Sequence, residues 1–344
     1  MRTRRRGDGP KRPRPLAEVP AGYDPNSVVL TFAVPNELDA QRLDRFLSWR
    51  IPRLTRSRAT EIITACCVLP DGTRRVPTER VWAGETVMLV REKFVEPDAP
   101  REFAILYEDD AIVAIDKPPG LPVHPSATYH HNTLTSLLTR RFTIAGGPPP
   151  PQIAHRLDKE TSGIVVCTRP GPDDAHVKHQ FATRGVQKEY LAIVRGSMTS
   201  DEGEIDRPMR PATVGLHNMM ETCEPGSEGP ALEARTRYRV IERKPSATLV
   251  HLFPETGRQH QLRVHLASIG FPIVGDKLYG PEREAIFLEI IERGGLDDDL
   301  RARLGHVRHA LHACSVTFRH PRTGELLQIT SPLPQDLVEL WARL

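Results

Sequence analysis

Between residues 26 and 95 the apolar positions predict two short helices and a small sheet. In the first helical pattern the spacing of three and four residues marks one buried face, formed by Leu43, Phe46, Leu47 and Ile51. Pro52 predicts the end of this helix, and a second one is predicted from Thr55, with Ala59, Ile62 and Ile63 inward. Strand-like runs follow at 67–69 and 86–90, separated by turn signals. This segment is predicted to be a compact α+β module.

The longer segment, residues 96–344, alternates strand and helix patterns after a proline-rich connector. Strands are predicted at 103–107, 111–115, 164–168, 189–194, 234–241 and 248–253. Helices are predicted at 133–142, 173–183 and 259–268. So many strands with few helices between them predict an α+β domain, with helices packed on a mixed, largely antiparallel sheet.

The charge distribution points to a polyanionic partner. Residues 1–25 combine Arg, Lys, Pro and Gly, which predicts a disordered basic tail. The first fifteen residues carry seven Arg or Lys against one Asp, and residues 41–91 carry ten Arg against five acids. Because the whole chain has a net charge of +3, these two segments (+6 and +5) leave −8 on the rest. A local positive field of this kind attracts nucleic acid, although a basic tail also serves solubility alone.

Six arginines in residues 42–58 face one acid, and most of them lie away from the predicted apolar face. Such a face is typical of phosphate-backbone binding, and the alternative is an ordinary solvated helix surface. The imbalance favours contacts with a nucleic-acid backbone by residues such as Arg45, Arg56 and Arg58.

The sequence gives little support for a metal site or for a membrane-spanning helix. The five cysteines show no CxxC spacing, and no HExxH motif occurs, so we expect no metal site. No P-loop or dinucleotide fingerprint is present, which favours cofactor-free chemistry. No apolar run approaches the roughly 20 residues that a membrane helix requires, and we expect a cytoplasmic protein.

Asp158 stands in a polar loop before Thr161, Ser162 and Gly163, ahead of an apolar strand. Taken alone, an aspartate in this setting is a turn former or a cap. Its neighbours favour another interpretation. Residues 155–169 (HRLDKETSGIVVCTR) resemble the signature motif of the RluA-type pseudouridine synthases, in which the aspartate is catalytic.

Four further segments resemble this family in the expected order. They are IDKPPGLPVHPS (115–126), QKEYLAIVRG (187–196), ETGRQHQLRVHLASIGFPIVGDKLYG (255–280) and ALHACSVTFRHPRTGE (310–325). RLDRFLSWRIPRLTRSRATEII, near the N-terminus, is similar to the αL-type RNA-binding motif of a small-subunit ribosomal protein, with Leu-Pro-Asp-Gly where that motif usually has Val-Asn-Gly. Beyond the disordered tail (1–25) predicted from composition, the resemblance implies an RNA-binding module (26–95) and a catalytic domain (96–344).

The resemblance also implies roles for individual residues. Arg263 is expected to pair with Asp158, and Tyr190 to stack on the uracil or to help move the ring proton. Arg156, Lys188 and Arg258 are expected to contact RNA. Without the motifs, Arg263 would be interpreted as a surface arginine, Tyr190 as a half-buried strand tyrosine, and the last three as members of ordinary ion pairs.

Isomerising uridine to pseudouridine breaks the bond between ribose and ring nitrogen and rejoins the ribose to a ring carbon. An ionised carboxylate serves as a nucleophile, or as a base that takes a proton from the ribose. Hydrolytic glycosidases generally use two carboxylates, whereas the resemblance marks only Asp158, which fits a reaction without water. The target base is expected to flip out of the RNA stack.

The resulting hypothesis is an RNA pseudouridine synthase, working as a monomer without cofactor or metal, on large-subunit ribosomal RNA or on transfer RNA. The alternatives are an RNA-binding assembly factor with an inactive synthase fold and a hydrolase of free nucleosides. Residues 215–229 and 284–305 fall outside the resemblance and are interpreted as insertions.

Overall fold

The computed structural model describes residues 19–20, 22–24, 27–51, 54–91, 96–126, 128–129, 131–213, 215–216, 219–224 and 231–344. Most of the predicted tail (1–25) lies outside these ranges, as do Pro52, Arg53 and about half of the predicted insertion at 215–229. The chain divides into two compact units, Met1–Val95 and Glu96–Leu344. That the first unit is an RNA-binding module stays a prediction.

The described part of the first unit contains two helices and two small antiparallel sheets. Its strands are β1 (Val28–Ala33), β2 (Gln41–Arg42), β3 (Cys67–Val68), β4 (Arg80–Val81) and β5 (Thr86–Arg91), and its helices are α1 (Leu43–Arg50) and α2 (Arg56–Cys66). The strand orders are β1-β5-β3 and β2-β4, and a 3-10 turn spans Asn36–Leu38. The Thr55 hydroxyl caps α2 by accepting the amide of Arg58. The predicted inward residues of both helices are buried together, Leu43, Phe46, Leu47, Ala59 and Ile63.

The second unit is built on one ten-stranded sheet. Its strands are β6 (Ala104–Glu108), β7 (Ile112–Lys117), β8 (Gln152–Ile153), β9 (Ser162–Thr168), β10 (Gln187–Arg195), β11 (Glu202–Asp206), β14 (Arg235–Lys244), β15 (Ala247–Pro254), β16 (Leu311–Arg319) and β17 (Leu326–Thr330). A separate hairpin consists of β12 (Met209–Pro211) and β13 (Met220–Thr222). The order is β11-β14-β15-β10-β16-β9-β7-β6, with β17 beside β16 and β8 beside β9. Only the β16–β9 pair is parallel among the described strand pairs, so the predicted mixed, largely antiparallel sheet is confirmed.

Among the residues that the structure describes, six helices accompany this sheet. They are α3 (Leu134–Phe142), α4 (Pro172–Ala182), α5 (Gln261–Ser268), α6 (Glu284–Glu292), α7 (Asp298–Leu304) and α8 (Gln335–Arg343). Strands β7 and β9 are buried on both faces: Val113 and Val165 pack in the same cluster as residues of α3, whereas Ile112 and Ile164 pack with Val177 of α4. Leu262 and Leu266 of α5 join Leu337 and Leu340 of α8 in the largest apolar cluster. Each such buried leucine contributes about 2 kcal/mol.

Helix α5 begins two residues later than the pattern at 259–268 predicts. His260 caps it in the left-handed conformation, with φ of 57°, and therefore stands outside the helix. This conformation is uncommon for a residue with a Cβ and is often found at functional sites. The start of α5 thereby becomes one wall of the pocket described next.

Candidate active site

A pocket of about 470 Å³ opens where the loop before β9, strand β10 and the start of α5 meet. The lining includes all six of the site residues that the sequence predicts in the second unit: Arg156, Asp158, Lys188, Tyr190, Arg258 and Arg263. The three others, Arg45, Arg56 and Arg58, belong to the first unit.

Asp158 and Arg263, which are 105 positions apart in the chain, form an ion pair in this pocket. Nη1 of Arg263 donates to Oδ2 of Asp158 over 3.0 Å. Burial by itself would raise the pKa of Asp158, but the charge of the Arg263 guanidinium holds that pKa below its ordinary value. The carboxylate is therefore ionised at neutral pH, and 20% of its side-chain surface stays exposed.

The turn at Asp158 does not use its carboxylate. The amide of Thr161 donates to the main-chain carbonyl of Asp158, over 3.2 Å, and the side chain points to Arg263 instead. The geometry thus gives no support to the interpretation of Asp158 as a side-chain cap.

Several polar side chains brace the loop that carries Asp158. Lys117, fully buried, donates to the carbonyl of Lys159, and Arg308 donates to that of Glu160. Lys277 pairs with the Glu160 carboxylate, and the Thr161 hydroxyl bonds to Nε2 of His309 over 2.7 Å. Because these groups come from β7, from the segment after α5 and from the loop before β16, the position of the loop depends on the whole fold of the unit.

Arg263 is buried, with 6% of its side chain exposed, so its interpretation as a surface arginine is wrong. Its Nε and Nη2 donate to the two oxygens of Asp276, over 2.7 and 2.9 Å. Its guanidinium also lies 5.0 Å from the ring centroid of Tyr279. Burial alone would lower the pKa of Arg263, but Asp276 and Asp158 raise it well above its usual value.

Tyr190 lies on β10, opposite Leu252 of β15 and Ala313 of β16, next to a bulge in the strand. It is half-buried, as expected for a strand tyrosine, yet it also lines the pocket. Burial first, and then the charge of Asp158, raise the pKa of its phenol above the ordinary value. The hydroxyl is therefore neutral and able to donate or accept a hydrogen bond.

His260 was missed by sequence reasoning. Its Nε2 lies 3.9 Å from Oδ2 of Asp158, and its Nδ1 bonds to the Tyr279 hydroxyl over 2.8 Å. Burial lowers the pKa of His260 to about 4, so the ring is neutral at pH 7. The sequence offered no periodic signal for this residue, because its position depends on the left-handed turn before α5.

A wider groove adjoins the pocket and shares Asp158 and Tyr190 with it. Five cations line this groove: Arg156, Lys178, Arg184, Lys188 and Arg258. Arg156 is exposed; Lys188 donates to the carbonyl of Thr256, and Arg258 to that of Glu233. Lys178 and Arg184 were not singled out from the sequence, because nothing in their local pattern sets them apart from other surface cations on or just after α4. In the structure each has a carboxylate partner, Asp174 and Glu233. The groove suits a phosphate backbone.

In the first unit, Arg45 is exposed, whereas Arg56 and Arg58 are paired with acids. Arg56 donates to Asp44 over 3.0 Å, and Arg58 pairs with Glu61 one helical turn away. The sequence placed all three on helical surface. The pair of Arg58 with Glu61 is exposed and of the ordinary surface kind, whereas Arg56 pairs with the buried Asp44.

No group of three or more metal-ligating side chains converges within the part of the chain that the structure describes. None of its helices is long and apolar enough to span a membrane, counting the described residues alone.

Comparison with known proteins gives consistent results. The family description RNA pseudouridylate synthase matches residues 111–268. Ribosomal large subunit pseudouridine synthase D of Nitrosomonas europaea is 35% identical over 93% of this chain and 89% of its own length. The protein of the same name from Pseudomonas aeruginosa is 36% identical over 90% of this chain and 92% of its own.

Solved structures agree with the sequence relatives. Human RNA pseudouridylate synthase domain containing 4 is 28% identical with a TM-score of 0.55, covering 70% of this chain and 92% of that chain. Human RNA pseudouridylate synthase domain containing 1 is 25% identical with a TM-score of 0.52, covering 72% and 97%.

Proposed function

The chain belongs to the RluA-type family of RNA pseudouridine synthases, and from that premise we propose that it isomerises uridines of large-subunit ribosomal RNA. The enzyme is an isomerase that acts on RNA. Support for the ribosomal target comes from the names of relatives that match more than nine-tenths of this chain. We propose further that it works in the cytoplasm, as a ribosomal target implies, and that it works there as a monomer.

The observation that carries the catalytic assignment is the ionised carboxylate of Asp158, held at the pocket by Arg263. Asp158 acts either as a nucleophile on the ribose or as a base that takes a proton from it while the glycosidic bond opens. The uracil then turns within the pocket, and ribose C1′ bonds to ring C5. The hydrogen originally on C5 leaves as a proton, and ring N1 gains one, so the atoms balance.

Tyr190 is proposed to contact the uracil, either by stacking or by handling the ring proton. Its place on the pocket wall and its neutral hydroxyl suit both roles. Arg156, Lys188 and Arg258 are proposed to hold phosphates near the flipped nucleotide. The charged groove that contains them supports this role, and it adds Lys178 and Arg184 to the candidates.

Pseudouridine mapping of ribosomal RNA, with and without the gene, tests the proposed function. We expect a site in large-subunit RNA to disappear on deletion and to return with the wild-type gene but not with Asp158→Asn. If a site in transfer RNA is lost instead, the substrate is transfer RNA and not ribosomal RNA. No lost site in either RNA would favour an RNA-binding assembly factor.

Lys188 gives RNA affinity a pH dependence. Burial lowers the pKa of Lys188 to about 8, and only the charged ammonium binds a phosphate strongly. Affinity measured by filter binding should therefore fall about tenfold between about pH 7 and pH 9. Lys188→Arg keeps its charge throughout this range and should remove most of the fall. An equal fall in both proteins would contradict the assignment.

The first unit is proposed to add sequence-independent affinity through Arg45, Arg56 and Arg58. Replacing all three by glutamine should weaken RNA binding and reduce its salt dependence. The slope of log K against log salt should become shallower by about 0.9 for each phosphate that the protein no longer neutralises. Arg101→Gln is the matched control, because Arg101 is exposed and paired with an acid three residues away, as Arg58 is. A slope unchanged in the triple variant would rule out this role.

A further inference from the structure

We propose that Asp276 is a positioning residue for the isomerisation, which fixes the Arg263 guanidinium so that one nitrogen points at Asp158. The inference rests on the proposed catalytic role of Asp158. Asp276 lies in the segment after α5, and no charge pattern in the sequence indicates this role for it.

The carboxylate of Asp276 grips Arg263 with both oxygens. Nε donates to Oδ2 over 2.7 Å and Nη2 donates to Oδ1 over 2.9 Å, which leaves Nη1 for Asp158 at 3.0 Å. The Asp276 side chain is fully buried, and that of Arg263 is 6% exposed. A bidentate pair of this kind fixes the plane of the guanidinium and not only its charge.

Asp276 is itself fixed by the main chain. Its Oδ1 also accepts the amides of Leu278 and Tyr279, over 2.9 and 3.0 Å. The preceding Gly275 has φ of 78°, and a Cβ there would lie 2.0 Å from the carbonyl oxygen of Arg308. The Asp276 carboxylate therefore cannot move unless the backbone moves, and it fixes the orientation of the Arg263 guanidinium.

Arg263 divides its hydrogen bonds unevenly between Asp276 and Asp158. Asp276 receives two bonds from Arg263, whereas Asp158 receives one, on Oδ2 only. A guanidinium that turned its whole fork toward Asp158 would engage both of its oxygens. Because Nε and Nη2 of Arg263 are bonded to Asp276, only Nη1 bonds to Asp158. This single bond keeps the Asp158 carboxylate ionised and oriented. It leaves Oδ1 of Asp158 without a bond from Arg263 and available to the ribose.

Asp276→Asn tests this role with little change in shape. The amide oxygen can still accept the two main-chain amides, but its NH₂ would meet the Nε donor of Arg263, so the guanidinium must shift. A shift of about 1 Å at a reacting group costs on the order of 100-fold in rate. We expect kcat to fall about 100-fold and KM to stay within about twofold, because the proposed RNA contacts are intact.

The assay is release of tritium from RNA labelled at uridine C5, since each isomerisation gives up that hydrogen. Asp109→Asn is the matched control: Oδ1 of Asp109 likewise accepts amides two and three residues ahead, Ala111 and Ile112, but Asp109 has no contact with Arg263. Its kcat should stay within about twofold of wild type. All rates are measured below the melting range of the least stable variant and per folded enzyme.

A double-mutant cycle separates positioning from general structural support. If Asp276 acts through Arg263, then Asp276→Asn should change kcat less than about threefold in an Arg263→Gln background. An equal loss in both backgrounds would overturn the proposal, as would a kcat for Asp276→Asn within about threefold of wild type.

The test distinguishes this inference from the proposed function. If wild type does not turn over large-subunit RNA, the substrate assignment fails, and the same variants are then compared on total RNA from the deletion strain. If Asp158→Asn keeps its activity, the catalytic assignment fails whatever Asp276→Asn does.

Discussion

Asp158→Asn is expected to lower turnover by about 10⁴-fold or more, the scale seen when an essential carboxylate becomes an amide. Asparagine is neither a nucleophile nor a base at neutral pH, so both open mechanisms predict the same loss. Single-turnover tritium release from uridine-labelled RNA measures it. Residual activity within about a hundredfold of wild type would exclude both roles.

The same variant should remain folded. The amide oxygen of asparagine still accepts the Nη1 hydrogen of Arg263, Arg263 keeps its bidentate pair with Asp276, and the turn uses only the main-chain carbonyl of residue 158. We expect a loss of about 1 kcal/mol in the free energy of unfolding. A loss several times larger would favour the structural interpretation of Asp158.

The pH dependence of this loss has a definite sign. Arg263 holds the pKa of Asp158 below its ordinary value, so the ion pair adds stability above the unfolded pKa of about 3.9. This stability disappears as the pH falls through the lowered, folded pKa. The difference between wild type and Asp158→Asn should therefore be complete at pH 7 and vanish in strong acid. Asp109→Asn is the comparison for turnover. It should lose stability, as Asp158→Asn does, but it should keep its turnover.

Much of the fold could be predicted because the central strands leave strong patterns. Strand β7 is buried on both faces and has a continuous apolar run, and the predicted 111–115 overlaps the observed Ile112–Lys117. Helix α3 has a regular apolar face and starts where Thr133 caps it. In these elements local pattern and tertiary burial agree.

Two missed elements do have such a pattern: strand β16 is largely buried, and helix α8 has one apolar face. Other missed elements lack it. Strand β11 buries only Ile205 among charged neighbours, and β12 contains Pro211, which argues against a strand. Both form because a neighbouring strand supplies the hydrogen bonds. Helices α6 and α7 fall in the predicted insertion at 284–305, whose role stays open.

In the site, too, some features follow from local motifs and others only from tertiary contacts. A short motif pointed to Asp158, and family resemblance predicted that Arg263 is its partner. The burial of Arg263 and its pairing with Asp276 are tertiary facts: α5 has polar residues along its length, and its residues Gln261 to Leu266 are nevertheless all buried. The pattern at 259–268 predicted the helix, but it did not predict that the helix is buried on every side despite such residues.

Gly163→Ala should be among the most destabilising single substitutions in the second unit. Gly163 pairs with Ala313 where β9 and β16 run parallel, with φ of 107°. A Cβ there would lie 2.2 Å from the carbonyl oxygen of Ala313 and 2.8 Å from its nitrogen and carbonyl carbon. These are backbone atoms of a central strand and cannot turn aside, so the two strands must separate.

We expect Gly163→Ala to lower the free energy of unfolding by about 4 kcal/mol or more, measured by urea denaturation. Gly324→Ala is the matched control, because Gly324 also has positive φ, 74°, but a Cβ there would meet nothing within 4 Å. It should cost only about 1–2 kcal/mol for the left-handed conformation. Equal losses in the two variants would mean that strands β9 and β16 can separate cheaply. Because Gly163 follows Asp158 by five residues, that outcome would also mean that the loop carrying Asp158 is not fixed by the sheet behind it.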